Sequence, residues 1–81
     1  MPRVHVTGWR YGMQKVSTTQ VLRDHLGLGL AEAKGLTDAI LDGKELWLEV
    51  ESAVAADELA AALQELGVDA AAEADASTAN A

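Results

Sequence analysis

The spacing of apolar residues along this chain changes several times, and each change marks an element. Residues 3–9 (Arg-Val-His-Val-Thr-Gly-Trp) alternate and include β-branched side chains. That predicts a strand with Val4 and Val6 on one face and His5, Thr7 and Trp9 on the other. Arg10-Tyr11-Gly12-Met13 reads as a connecting loop. Residues 14–26 predict a helix. Leu22 and Leu26 stand one turn apart, and Thr18 continues their row backwards. Val16, Thr19, Gln20 and Arg23 form a second row, expected to face solvent. Gly27 supplies a stop, and both leucines of Leu28-Gly29-Leu30 are expected to point inward. Residues 31–42 predict a second helix on a stripe of Ala33, Leu36, Thr37, Ile40 and Leu41, closed by Asp42-Gly43. Gly35 inside it costs roughly 1 kcal/mol relative to alanine, which a close helix–helix approach would explain.

Residues 45–50 (Glu-Leu-Trp-Leu-Glu-Val) alternate cleanly, which sends Leu46, Leu48 and Val50 to the core and Glu45, Trp47 and Glu49 outward. Ser52 is a candidate N-cap for a third helix over 53–66, on a stripe of Leu59, Ala62, Leu63 and Leu66. Gly67 ends it, and residues 68–72 (Val-Asp-Ala-Ala-Ala) fit a short edge strand. The order predicts an α+β fold. It is a β-α-α-β-α-β two-layer sandwich, with a three-stranded antiparallel sheet and three helices on one face. Residues 1–72 make one domain. Residues 73–81, without a large apolar side chain, are expected to form a disordered acidic, alanine-rich tail.

Composition narrows the class. The chain has 81 residues, no cysteine and no phenylalanine, and its aromatics are Trp9, Tyr11 and Trp47. Much of its 49% hydrophobic content is alanine, so Leu, Val and Ile must build a thin core, and a deep catalytic cavity is not expected. Without cysteine there is no disulfide framework and no thiolate metal site. No apolar run approaches the roughly 20 residues that span a bilayer, and the N-terminus shows no signal-peptide core. A cytoplasmic protein is expected, with no membrane contact. The net charge is −7, an argument against direct nucleic-acid binding, but it is unevenly spread. Residues 1–34 hold five bases against two acids, and residues 35–81 hold Lys44 against 11 acids. A sign split of this kind often marks an interaction surface.

Catalytic signatures are absent. His5 and His25 belong to no His-x-x-x-His or Glu-x-x-His pattern. Asp24 and His25 are helix neighbours pointing about 100° apart, so they do not form a dyad. Glu58 and Glu65 read as a solvated face. Gly27-Leu28-Gly29-Leu30 lacks the third glycine of a dinucleotide loop and the Gly-Lys-Ser/Thr of a phosphate loop, and it follows a helix rather than a strand. Neither an enzyme activity, a metal nor a cofactor is implied.

The same glycine segment carries the most specific signal when read at full length. Lys15-Val16, Val21-Leu22-Arg23 and Gly27-Leu28-Gly29-Leu30-Ala31-Glu32-Ala33-Lys34-Gly35-Leu36 resemble the C-terminal domain of the bacterial ribosomal stalk protein, the acidic large-subunit protein called seven/twelve. The resemblance covers about residues 4–72 and implies the same β-α-α-β-α-β order. It implies a non-enzymatic module that recruits translational GTPase factors to the ribosome through a basic face on the first two helices. By position, that face maps to Lys15, Val16, Thr19, Gln20, Arg23, Glu32 and Lys34. Gln20 and Ala31 stand where the family commonly has lysines, and Ser17-Thr18-Thr19 replaces a more apolar patch. The family's dimerisation domain and hinge have no counterpart in this sequence, which suggests a free-standing relative. The Clp protease adaptor, which binds destabilising N-terminal residues, shares the fold and is the alternative. Its ligand's amino group needs an Asn-Asp-Asp-type segment, but Tyr11-Gly12-Met13-Gln14-Lys15 stands there, with a lysine where an ammonium should be held. A co-opted dimeric interaction domain of unrelated role is the other alternative.

Trp9 and Trp47 both fall on the outward parity of their strands. They are expected to share the open sheet face as a second interface, for self-association or a further partner.

Overall fold

A computed structural model describes residues 2–73 of the chain; residue 1 and residues 74–81 lie outside the described residues, as does nearly all of the expected tail. The elements run β1 (Arg3–Trp9), α1 (Lys15–Leu26), α2 (Leu30–Leu41), β2 (Leu46–Glu49), α3 (Ala53–Glu65) and β3 (Val68–Glu73). β3 takes in Glu73, the first residue expected in the tail. The fold is α+β, with a three-stranded antiparallel sheet in the order β2-β1-β3.

Alternation in β1 puts Val4 and Val6 under the helices, where both are fully buried. Leu48 and Val50 join them from the β2 side, and Val68 and Ala70 from β3. The helices answer with Leu22 of α1, Ala33 and Ile40 of α2, and Ala56, Leu59, Ala60 and Leu63 of α3. Each fully buried Leu, Ile or Val contributes roughly 1.5–3 kcal/mol, so these few side chains carry the domain. The stripe of α3 is rotated from the expected one. Ala56 and Ala60 are buried with Leu59 and Leu63, while Ala62 and Leu66 are only half-buried. α3 packs against β3 and, beyond it, β1.

Local signals set the helix ends. The Ser52 hydroxyl accepts from the Ala55 amide at 3.1 Å, the cap that its position predicted. Gly27 sits at φ 66°, and its amide donates to the Arg23 carbonyl at 2.8 Å, closing α1 in the left-handed conformation. Gly67 is tied to more than its own turn. At φ 93° it turns the chain from α3 into β3, and a side chain there would meet the Met13 Cα at 2.9 Å. Its carbonyl accepts from the Arg10 amide at 2.7 Å, and the Leu66 carbonyl accepts from the Gln14 amide at 2.9 Å. These contacts latch the loop before α1 onto the end of α3.

Three expectations from the pattern need correction. Gly35 does not mark a close helix approach: a Cβ placed there meets nothing within 4 Å, and the residue is exposed. Leu30 does not point inward; it begins α2 with 55% of its surface exposed. Trp9 does not share the open face with Trp47. The register of β1 against β3 slips between Val6 and Gly8, leaving Thr7 as the extra residue of a β-bulge. Trp9 is thereby paired with the buried Val68 and turned to the helix side, where its Nε1 donates to the Leu41 carbonyl at 3.1 Å. No helix among the described residues is long and apolar enough to cross a membrane.

Candidate interaction site

α1 and α2 pack side by side, and a groove of about 440 Å³ runs between them. From α1 it is lined by Lys15, Val16, Thr19, Gln20 and Arg23; from α2 by Leu30, Lys34 and Asp38. The α1 residues fall on one row because 15, 16, 19, 20 and 23 follow the helical period. The α2 residues recur every four positions and stack along one face.

The floor is apolar and open to solvent. Val16, 78% exposed at the start of α1, and Leu30, 55% exposed at the start of α2, both line it. Beneath them lies a polar bolt. Thr19 Oγ1 and Thr37 Oγ1 are 2.8 Å apart, and both residues are buried. The Thr19 hydroxyl also reaches the Lys15 carbonyl at 3.1 Å, and that of Thr37 the Ala33 carbonyl at 3.0 Å. Burial of two hydroxyls is tolerated because each has a hydrogen-bonding neighbour. This corrects the expectation that Thr19 faces solvent. Its row is divided, with Val16, Gln20 and Arg23 exposed and Thr19 turned into the α1–α2 contact.

Lys15, Arg23 and Lys34 ring the floor with positive charge. Lys15 Nζ lies 3.9 Å from Asp38 Oδ1, with both side chains exposed. Such a pair is worth about 0–1 kcal/mol, so Lys15 is available to a stronger partner. Arg23 and Lys34 have no acidic partner among the described residues.

Six of the seven residues assigned to the basic face therefore line one groove. Glu32 is the exception. Two positions from both Leu30 and Lys34, it points some 200° away and lines a separate hollow beside β2. Leu30 and Asp38 belong to the groove but were not assigned to it. Their four-residue spacing about Lys34 was the available signal, obscured by reading Leu30 as part of the link.

Trp47 lies on the open sheet face at 47% exposure. Its ring stacks on His5, its cross-strand neighbour, with centroids 4.5 Å apart and planes 8° from parallel. His5 in turn lies between Glu73 (Nδ1–Oε2 3.2 Å) and Glu45 (Nε2–Oε1 3.5 Å). These contacts fall on opposite sides of the ring, so the groups do not converge on a common point. No group of three or more His, Asp or Glu among the described residues is placed to hold a metal ion.

No protein-family model, curated protein or solved structure matches this chain. The class is therefore set by fold and groove alone: a small α+β domain presenting an apolar floor rimmed by cations between its first two helices.

Proposed function

We propose that this chain is a non-enzymatic protein-interaction module that receives an acidic partner surface in the α1–α2 groove. In this reading it acts as the ribosomal stalk domain it resembles does, and its partners are translational GTPase factors. The observation that carries the reading is the meeting of Lys15, Arg23 and Lys34 around exposed Val16 and Leu30. An exposed apolar floor rewards burial, and a rim of like charge selects the sign of the partner. The −7 net charge does not oppose this, because the acids lie mostly beyond residue 35.

The test is a pull-down of purified elongation and initiation factors with the wild-type chain and with a Lys15→Gln/Arg23→Gln/Lys34→Gln variant, at low and moderate salt. Binding is expected to weaken with salt in the wild type and to fall in the variant at both concentrations, since charges of this kind act over about 10 Å at 0.1 M salt. Equal capture of both proteins refutes the charge-led groove.

A further inference from the structure

The sheet has two edges, and they are treated differently. On β3, the Gln64 amide group reaches from α3 and donates to the Ala70 carbonyl at 2.5 Å, covering the middle of that edge. On β2, the Val50 amide donates inward to the Pro2 carbonyl at 3.1 Å. Strand alternation then directs the backbone groups of Leu48 toward β1 and those of Trp47 and Glu49 to the outside. No side chain or backbone group among the described residues bonds to these outward groups. An unpaired edge of this kind is a template for another strand.

Beside the open edge lies a hollow of about 470 Å³ formed by Leu26, Leu28, Gly35, Leu36 and Leu48, with Glu32, Trp47 and Glu49 at its margin. Gly35 gives it shape. The glycine costs α2 about 1 kcal/mol relative to alanine, and no neighbour within 4 Å requires it. What the missing side chain preserves is the open space next to β2.

We propose that the outer edge of β2 is a second docking site, which takes an extended peptide segment of a partner protein carrying lysine or arginine between alternating apolar residues. Laid along β2, such a segment pairs with the backbone of Trp47 and Glu49. Its apolar side chains enter the hollow against Leu26, Leu28 and Leu36, and its alternate residues lie beside Trp47 and Glu49 on the other face. Charge fixes the occupant. Glu32, Glu45 and Glu49 border the site, and Glu32 and Glu49 have no cationic partner among the described residues; the bases near the strand are Lys44, beside it in sequence, and Arg3, opposite Glu49 on β1 and already paired with Glu73. A cation on the incoming strand also meets the exposed indole of Trp47, where Arg3 already lies 6.0 Å from the ring centroid. The chain's own C-terminal segment does not fit, because no base follows Lys44 in the sequence. A second copy paired antiparallel about Trp47 sets Glu45 opposite Glu49, which is destabilising.

The site is separate from the α1–α2 groove and is tested apart from it. The full chain, labelled with 15N, is titrated with a capped peptide alternating valine and lysine. Amide shifts and slowed exchange are expected at Gly35, Leu36, Trp47 and Glu49, with the α1–α2 groove unmoved. The matching valine–glutamate peptide is expected to bind roughly tenfold or more weakly, and Glu32→Lys/Glu49→Lys to reverse that preference. Glu49→Pro, which removes an outward amide not used within the fold, is expected to keep the dispersed spectrum and lose the peptide. No shifts with the valine–lysine peptide, shifts confined to the α1–α2 groove, equal binding of both peptides, or concentration-dependent dimerisation through β2 would each overturn the proposal.

Discussion

The buried Thr19–Thr37 pair supports an unusual expectation for a double-mutant cycle. The two hydroxyls carry two protons, yet three contacts compete for them: the one between the hydroxyls and those to the Lys15 and Ala33 carbonyls. Two hydrogen bonds are therefore made at once. In one arrangement Thr19 donates to Thr37, which donates to Ala33; in the other the chain runs to Lys15. Thr37→Val leaves the Thr19 hydroxyl free to donate to the Lys15 carbonyl, so one bond survives. Thr19→Val likewise leaves the bond from Thr37 to Ala33. Each single substitution then removes one hydrogen bond, a loss of about 1 kcal/mol, and the double variant loses about 2 kcal/mol. The coupling energy is expected to lie within about 0.5 kcal/mol of zero, although the oxygens are 2.8 Å apart. Urea unfolding followed by tryptophan fluorescence and by far-ultraviolet circular dichroism measures all four proteins. A coupling above about 1 kcal/mol refutes the reasoning, since it would mean that the surviving hydroxyl is stranded rather than rebonded. A double variant as stable as wild type would show that the pair contributes shape and no net energy.

Two further substitutions test the backbone argument. Gly67→Ala must hold an alanine at φ 93° and move Met13, whose Cα lies at 2.9 Å; the combined cost is about 3 kcal/mol. Gly27→Ala has φ 66° but open space around it, so about 1–2 kcal/mol is expected there. Thermal melts should rank the two in that order, at about 4–8 °C per kcal/mol, and equal shifts would remove Met13 from the explanation. Gly35→Ala is expected to raise stability by about 1 kcal/mol in the isolated domain, because helix propensity improves and nothing is displaced. A destabilised Gly35→Ala would reveal packing at that position which the fold does not account for.

Most of the architecture was legible in the chain itself. Alternation of Val4 with Val6 and of Leu46 with Leu48, the leucine rows of the helices, the Ser52 cap and the Gly27 stop are local patterns. Each declares its element without reference to the rest of the molecule. Their order was enough to define an α+β sandwich, and the charge split pointed to the first two helices. What residue spacing could not supply was set by contacts between elements. The β-bulge at Thr7 exists only in the pairing of β1 with β3, and it alone turned Trp9 away from Trp47. Thr19 was drawn inward by Thr37, 18 residues later, because a buried hydroxyl needs a partner that periodicity does not name. Leu30 and Asp38 joined the groove, and Glu32 left it, when the rotation of α2 against α1 was fixed by Ala33 and Ile40 entering the core. Local hydrophobic period sets which elements form. Their mutual rotation and register depend on packing between segments distant in the chain, and there the candidate site was decided.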